Sequence, residues 1–309
     1  MKNKFLFREL TLLLMVLISF ASCKKETPPP TASFTYTVDG NKVTFIADAT
    51  DYNKFEWNFG DGSYISTIPS PTHAYPEYGK DYTATLTVLG KGGEISVTNT
   101  VTIPKKTLLQ LLTGGIDASS SKKWRLNVNA PSFLITAAMP DFQPVVENYP
   151  GGILAAIGLS KVYGDSFEFK GDGTLTIHPN GDGIFAGYVY CIATQTPIEA
   201  NPDAAKAGLA YAKPFAAPTD ATFAINEGKN FKITTTLDGK NPMEVIYNNV
   251  NTLSFTNKGF LGILDFSSEC IIKQLSDTQM EAAIFISAVK AGLIGTPNMV
   301  LHLTFEVAP

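Results

Sequence analysis

From residue 31 onward, apolar side chains recur at every second position in short runs, broken by glycine, aspartate and asparagine. This period of two constrains the fold more than any other feature, because side chains of an extended strand point alternately to its two faces. Residues 31–103 contain Phe34-Tyr36-Val38, Val43-Phe45-Ala47, Phe55-Trp57-Phe59, Tyr82-Ala84-Leu86-Val88 and Ile95-Val97 with Val101-Ile103. Such half-buried antiparallel strands predict a two-sheet sandwich of immunoglobulin type. Pro104-Lys105-Lys106 then reads as a linker, 107–112 as a short helix ended by Gly114-Gly115. In 107–309 a second series begins with Phe167 and Phe169, the hairpin turn Lys170-Gly171-Asp172-Gly173, and Leu175 with Ile177. It continues over 184–192, 222–225, 231–236, 245–247, 252–255, 262–266, 270–275, 281–287 and 300–307. Without helices in between, these runs predict a larger antiparallel β-sandwich, with a closed β-barrel as the alternative. The whole is expected to be all-β. The Pro- and Ala-rich stretch 194–220 is read as a long loop.

The N-terminal residues follow a different logic. Lys2, Lys4 and Arg8 precede an apolar run over 10–20, short for a spanning helix but suited to the core of a secretory signal. Phe20-Ala21-Ser22-Cys23 resembles the lipobox of bacterial lipoproteins. That resemblance implies a signal peptide over 1–22 and Cys23 as a lipid-bearing first mature residue, holding the protein to a membrane by acyl chains. Lys24-Lys25-Glu26 resembles the surface-export signal of lipoproteins from the Bacteroidota. The implied location is the outer membrane, facing the cell surface or the periplasm. Residues 23–30 then form a lipidated, Pro-rich tether of extended polyproline character.

Within 31–103, Trp57-Asn58-Phe59-Gly60-Asp61-Gly62, Thr72-His73-Ala74-Tyr75 and Gly79-Lys80-Asp81-Tyr82 resemble the PKD domain family. Trp57 and Phe59 share a face and are expected in the inter-sheet core. Gly60 and Gly62 supply turn angles that a side chain would obstruct. Asp61 is expected to hold nearby backbone amides, and His73 to be a structural histidine. The resemblance implies a spacer or contact module, with any binding activity carried by 107–309.

Chemistry leaves few marks on the second segment. With 24 basic and 28 acidic residues, a formal charge of −4 and a pI near 5.5, the chain lacks the basic footprint of a nucleic-acid binder. There is no nucleophile elbow, phosphate loop or His-Glu-x-x-His motif, so no cofactor or metal is expected. Asp165 and Glu168 are placed on opposite faces, and the other acids are dispersed. His178 and His302 alternate with apolar neighbours and are expected to point outward. Cys191 and Cys270 are the thiols left once Cys23 is acylated, so they form either a disulfide or two buried free thiols. Tyr188 and Tyr190 on one strand would project together, a candidate platform for a sugar ring unless the 194–220 stretch covers them. Trp124 is read as core.

Leu112 to Gly115, Lys123-Trp124 and the turns over 163–183 resemble domains that follow PKD modules in outer-membrane lipoproteins of the Bacteroidota, a group linked with glycan capture. The resemblance implies a lipid-anchored protein that binds polysaccharide through 107–309, with the PKD module as spacer. Two other functions remain: an assembly lipoprotein that contacts an outer-membrane transporter, and a glycoside hydrolase whose carboxylates meet only in the fold.

Overall fold

The computed structural model describes residues 26–143, 145–156, 160–180, 184–187, 211–236, 241–265, 268–286 and 296–309. Cys23, Tyr188, Tyr190 and Cys191 lie outside the described residues. The chain divides into two compact units, Met1–Lys106 and Thr107–Pro309.

The first unit contains β1 (Thr31–Asp39), β2 (Lys42–Thr50), β3 (Tyr52–Asn58), β4 (Thr72–Ala74), β5 (Asp81–Gly90) and β6 (Gly93–Thr102). They form two antiparallel sheets, β1-β2-β4 and β3-β5-β6. The register puts Trp57 opposite Leu86 and Val88 opposite Ile95, so the alternating apolar positions gather on the inner faces. Trp57, fully buried, meets Phe34 edge-on at 5.0 Å and Phe45 at 5.1 Å. The Trp57–Phe59 core expected from the pattern is present, and both residues belong to one buried cluster.

The second unit opens with α1 (Leu108–Thr113). Thr107 caps it, its hydroxyl accepting from the Gln110 amide while the Gln110 side chain accepts from the Thr107 amide. Gly114 ends it at φ 83°. The strands are β7 (Ser121–Leu126), β8 (Ser132–Thr136), β9 (Val145–Tyr149), β10 (Ser166–Lys170), β11 (Leu175–His178), β12 (Ile184–Gly187), β13 (Tyr211–Pro214), β14 (Phe223–Thr236), β15 (Pro242–Phe255), β16 (Glu269–Leu275), β17 (Gln279–Ile286) and β18 (Met299–Val307). A short helix, α2 (Ile153–Ala156), and a 3₁₀ turn over Ser160–Gly164 precede β10. β13 falls inside the stretch expected as loop and pairs with β12.

Eight strands form one antiparallel path, β11-β10-β7-β18-β17-β16-β15-β14. Its two ends touch: the Leu175 amide donates to Ala221 O at 2.9 Å, and the Phe223 amide to Gly173 O at 2.9 Å. The sheet therefore curls round a single core. Trp124, Phe167, Phe169, Leu253, Met280, Ile284, Leu303 and Phe305 fill its inner face. With only the isolated Thr174–Thr222 bridge between its ends, the sheet is an open half-barrel and not the closed barrel of the alternative.

The outer face carries a second layer, which supplies the sandwich packing expected of this unit. β14 and β15 are each one long strand where the pattern suggested two short ones. Gly228 at φ 61° and Asn249 at φ 53° interrupt the alternation without ending the pairing. Beyond these bulges Phe231, Ile233, Val245 and Tyr247 leave the inner core and join Ile271, Ala283, Phe285 and Val300 from the outer faces of β16 to β18. The Tyr247 hydroxyl, buried, donates to Ala137 O at 2.8 Å and ties the segment after β8 to the same layer.

The strand expected over 262–266 is a loop where described. Phe260, Leu261, Ile263 and Leu264 are all buried and plug the inner core, which an alternating strand cannot do. Gly262 makes this possible: at φ 72° its added Cβ would stand 2.8 Å from Phe305 Cζ.

Candidate functional site

In the first unit the residues singled out form a structural knot. The Asp61 carboxylate accepts from the Ser63 amide at 3.1 Å and pairs with His73 Nε2 at 2.7 Å. His73 stacks on Phe59 at 4.0 Å, with 5° between the planes, and Tyr75 donates to Phe59 O. Burial pushes the Asp61 carboxyl up, but the bonds from Ser63 and His73 outweigh it and hold it below the usual carboxylate range. The turn and histidine readings are thereby met, and among the described residues no cluster of acids, histidines or cysteines could hold a metal ion.

In the second unit Trp124 is core: it is fully buried, and its Nε1 donates to Leu112 O at 2.8 Å. Cys270 is buried as a thiol whose pKa is driven well up by burial, next to Glu269. Its expected partner, Cys191, lies outside the described residues, as do Tyr188 and Tyr190. His178 sits partly exposed with its Nε2 2.8 Å from Glu168. Burial raises the Glu168 carboxyl, but bonds from His178 and Ser121 bring it below its ordinary value.

His302 differs from its expectation. It does face away from the inner core, as alternation requires, yet it is only 8% exposed because the second layer covers that side of β18. Burial first, and the ammonium of Lys273 second, push its pKa down to about 4. Lys273 Nζ lies 2.9 Å from His302 Nδ1 and 4.9 Å from the centroid of Phe142. Phe142 stands edge-to-face on the imidazole at 4.9 Å and holds φ 60°, a conformation that bulky side chains rarely adopt.

A bulge brings this group together. The register of β16 against β17 slips between Ile272 and Gln274, so Lys273 is an extra residue opposite no partner. Bulges re-aim side chains, and here Lys273 is turned toward β18 over the outer face. Ala283, on the strand between, stands opposite both Ile271 and His302. Its methyl leaves room for the lysine to cross.

Two hollows adjoin at the place where β18 exchanges one partner for another. Residues Phe305 to Val307 pair with β7, and Met299 to His302 pair with β8. Between them the chain from Asn127 to Pro131 bends away. One hollow, about 210 Å³, is lined by Pro131, Phe133, Lys273, Gln279, Glu281 and His302. The other, about 80 Å³, is mainly apolar, with Leu126, Leu154, Tyr149, Tyr163 and Leu301 among its walls. They share Ala130, Pro131, Leu303 and Thr304.

The larger hollow has the mixture that recognition of a polar ring needs: an aromatic and a proline wall, amide and ammonium donors, and one carboxylate acceptor. Glu281 is the single acid on its walls among the described residues, and it accepts from Gln279 at 3.4 Å. Sequence reasoning missed Lys273, Gln279, Glu281, Phe133 and Phe142. The only sequence trace is that Lys273 stands where the run 270–275 should alternate, directly after two buried isoleucines.

Comparison with known proteins bears on the first unit. Residues 25–104 match the PKD domain family and form a PKD domain. Among solved structures, the PKD1 domain of Vibrio anguillarum Epp is 28% identical, with 26% of this chain and 100% of that one covered and a TM-score of 0.25. The PKD1 domain from the Vibrio cholerae metalloprotease PrtV is 29% identical, covering 25% of this chain and 100% of that one at a TM-score of 0.23. A structure described as showing the promiscuous specificity of carbohydrate-binding modules from the β-sandwich superfamily is 15% identical over 91% of this chain and 92% of that one, at a TM-score of 0.25. These overall superpositions are poor, so the PKD assignment rests on the family match. No curated protein matches the chain.

Proposed function

We propose that the chain is an exported, lipid-anchored protein of the outer membrane that binds carbohydrate through its second unit, with the PKD domain as spacer. The observation that carries the binding role is the 210 Å³ hollow, where Phe133 and Pro131 face Lys273, Gln279, Glu281 and His302. A sugar ring offers an apolar face to an aromatic wall and a rim of hydroxyls that both donate and accept, and this lining answers each. Anchoring is supported by the charged leader, the apolar run and the small residues before Cys23.

The test of binding is affinity electrophoresis of the purified full chain through gels that contain neutral or acidic polysaccharides. Retardation by one of them that Phe133→Ala weakens supports the reading. Equal mobility in every gel rejects it. Tyr188→Ala and Tyr190→Ala in the same series assess the platform expected from the sequence. Anchoring is tested by radiolabelled palmitate, which should enter the wild-type chain and not Cys23→Ala.

A second reading, a lipoprotein that docks on an outer-membrane transporter, is favoured by β9. Among the described residues this strand pairs only with β8, and it exposes Val145 and Val146. Co-purification of a membrane partner that is lost on Val146→Lys would support it, and purification of the chain alone would count against it.

A further inference from the structure

The lining of the larger hollow is unevenly satisfied. Lys273 Nζ has no carboxylate within ion-pair reach among the described residues; it donates one hydrogen bond to His302 Nδ1 and lies over the Phe142 ring. Because an ammonium can only donate, Nδ1 must accept, and the proton of the neutral ring is therefore on Nε2. That Nε2–H is buried and finds no acceptor among the described residues. His302 thus keeps one buried donor unmatched, while Lys273, itself exposed, presents to the hollow an ammonium that no carboxylate among the described residues pairs with. Glu281 acts on Lys273 across the hollow, but desolvation outweighs it and keeps the ammonium less stable than in water. An arriving anion would reverse that imbalance. Of the common ring substituents on sugars, the carboxylate of a uronic acid supplies this charge together with two accepting oxygens.

We infer that the sugar held in this hollow is acidic, a uronic acid residue of a polysaccharide, with Lys273 binding its carboxylate and His302 positioning the ammonium through Nδ1. The inference rests on the carbohydrate-binding reading above. His302 stays neutral in this role, which keeps Nδ1 an acceptor and adds no second charge to repel Lys273. The bulge in β16 aims the lysine, and Ala283 gives it passage.

The experiment is affinity electrophoresis and calorimetry of the full chain with polygalacturonate, with the same polymer after its carboxyls are reduced to alcohols, and with neutral xylan and dextran. The expected result is binding to polygalacturonate that weakens with added salt, and at least about a tenfold loss of affinity on carboxyl reduction or in Lys273→Met. Lys273→Arg should recover part of the affinity, and His302→Asn, whose side-chain oxygen can still accept from the ammonium, should retain more than His302→Leu. Near-ultraviolet circular dichroism of each variant separates lost binding from lost fold. Equal binding of native and reduced polymer, or wild-type affinity in a folded Lys273→Met, overturns the acidic assignment and leaves the carbohydrate reading standing. Binding of neutral glycans alone does the same. Failure to bind any polymer removes the carbohydrate reading itself.

Discussion

Acidifying the protein from pH 7 to pH 4 should destabilise the second unit through His302, and the size of the effect follows from its surroundings. The imidazole is buried beneath Phe142 and beside the Lys273 ammonium, with Glu281 the acid on the same hollow, and its pKa is pushed down to about 4 from an ordinary 6.5. Between those values the unfolded chain binds a proton at this site and the folded one does not. Stability therefore falls as pH drops through that window and is fully retained above the unfolded value. At about 1.4 kcal/mol per pH unit, the gap amounts to about 3 kcal/mol, a large share of the ~5–15 kcal/mol typical of a folded domain. Urea unfolding at pH 7, 6, 5 and 4 measures it, with His302→Asn as reference. The variant is expected to be somewhat less stable at pH 7, since the packing around the ring changes. The wild type should lose about 3 kcal/mol more than the variant between pH 7 and 4, because contributions from carboxylates elsewhere cancel in the comparison. Parallel pH profiles for the two proteins would refute the burial and the pairing of His302 together.

Gly60→Ala should destabilise the PKD domain by about 2–4 kcal/mol, since Gly60 has φ 79° and an added Cβ would fall 2.3 Å from Thr83 O; thermal unfolding measures the drop. Tyr247→Phe removes a buried bond to Ala137 O and should lower stability by about 1–2 kcal/mol, or roughly 2–8 °C in the second transition, without changing the far-ultraviolet circular dichroism. An unchanged midpoint would mean that the outer layer is not held there. Because the Asp61 carboxyl is held below its ordinary value, the stability that it gives the PKD domain is present above about pH 4 and lost as pH falls through its folded value. Asp61→Asn should flatten that acid limb in a pH series.

Much of this architecture is legible in the residues, and the limits of that legibility have physical causes. Period-two patterning reveals a strand when one face is buried, which is why Trp57, Phe59, Leu86 and Val88 stand out in the sequence as inner-face residues of the PKD core. The Gly114-Gly115 stop marks the end of α1 in the sequence because helix ends are local chemistry, and Thr107, which reads there as the first helical residue, is its cap. The same logic failed where burial is on both faces or changes side. β14 and β15 reverse their apolar face at Gly228 and Asn249, so each looks in the sequence like two strands. β17 is almost continuously buried, and Phe260 to Leu264 imitate a strand while serving as a plug. His302 illustrates the difference between facing outward and being exposed. Alternation gives the direction, but the cover comes from residues distant in sequence, Phe142 and the ends of β14 and β15 among them. The candidate site was hidden for a related reason: it depends on one extra residue in β16 and on the bend at Asn127 to Pro131, neither of which leaves a periodic trace.

Carbohydrate seated in the hollow beside β18 would shield the backbone around it from solvent. Hydrogen–deuterium exchange of the full chain, with and without an oligosaccharide cut from a polymer that retards it, tests this most directly. The prediction is slowed exchange at residues 130–133, 273–274 and 279–282 with little change in the PKD domain. Protection confined to other segments, or no protection at saturating oligosaccharide, would contradict it.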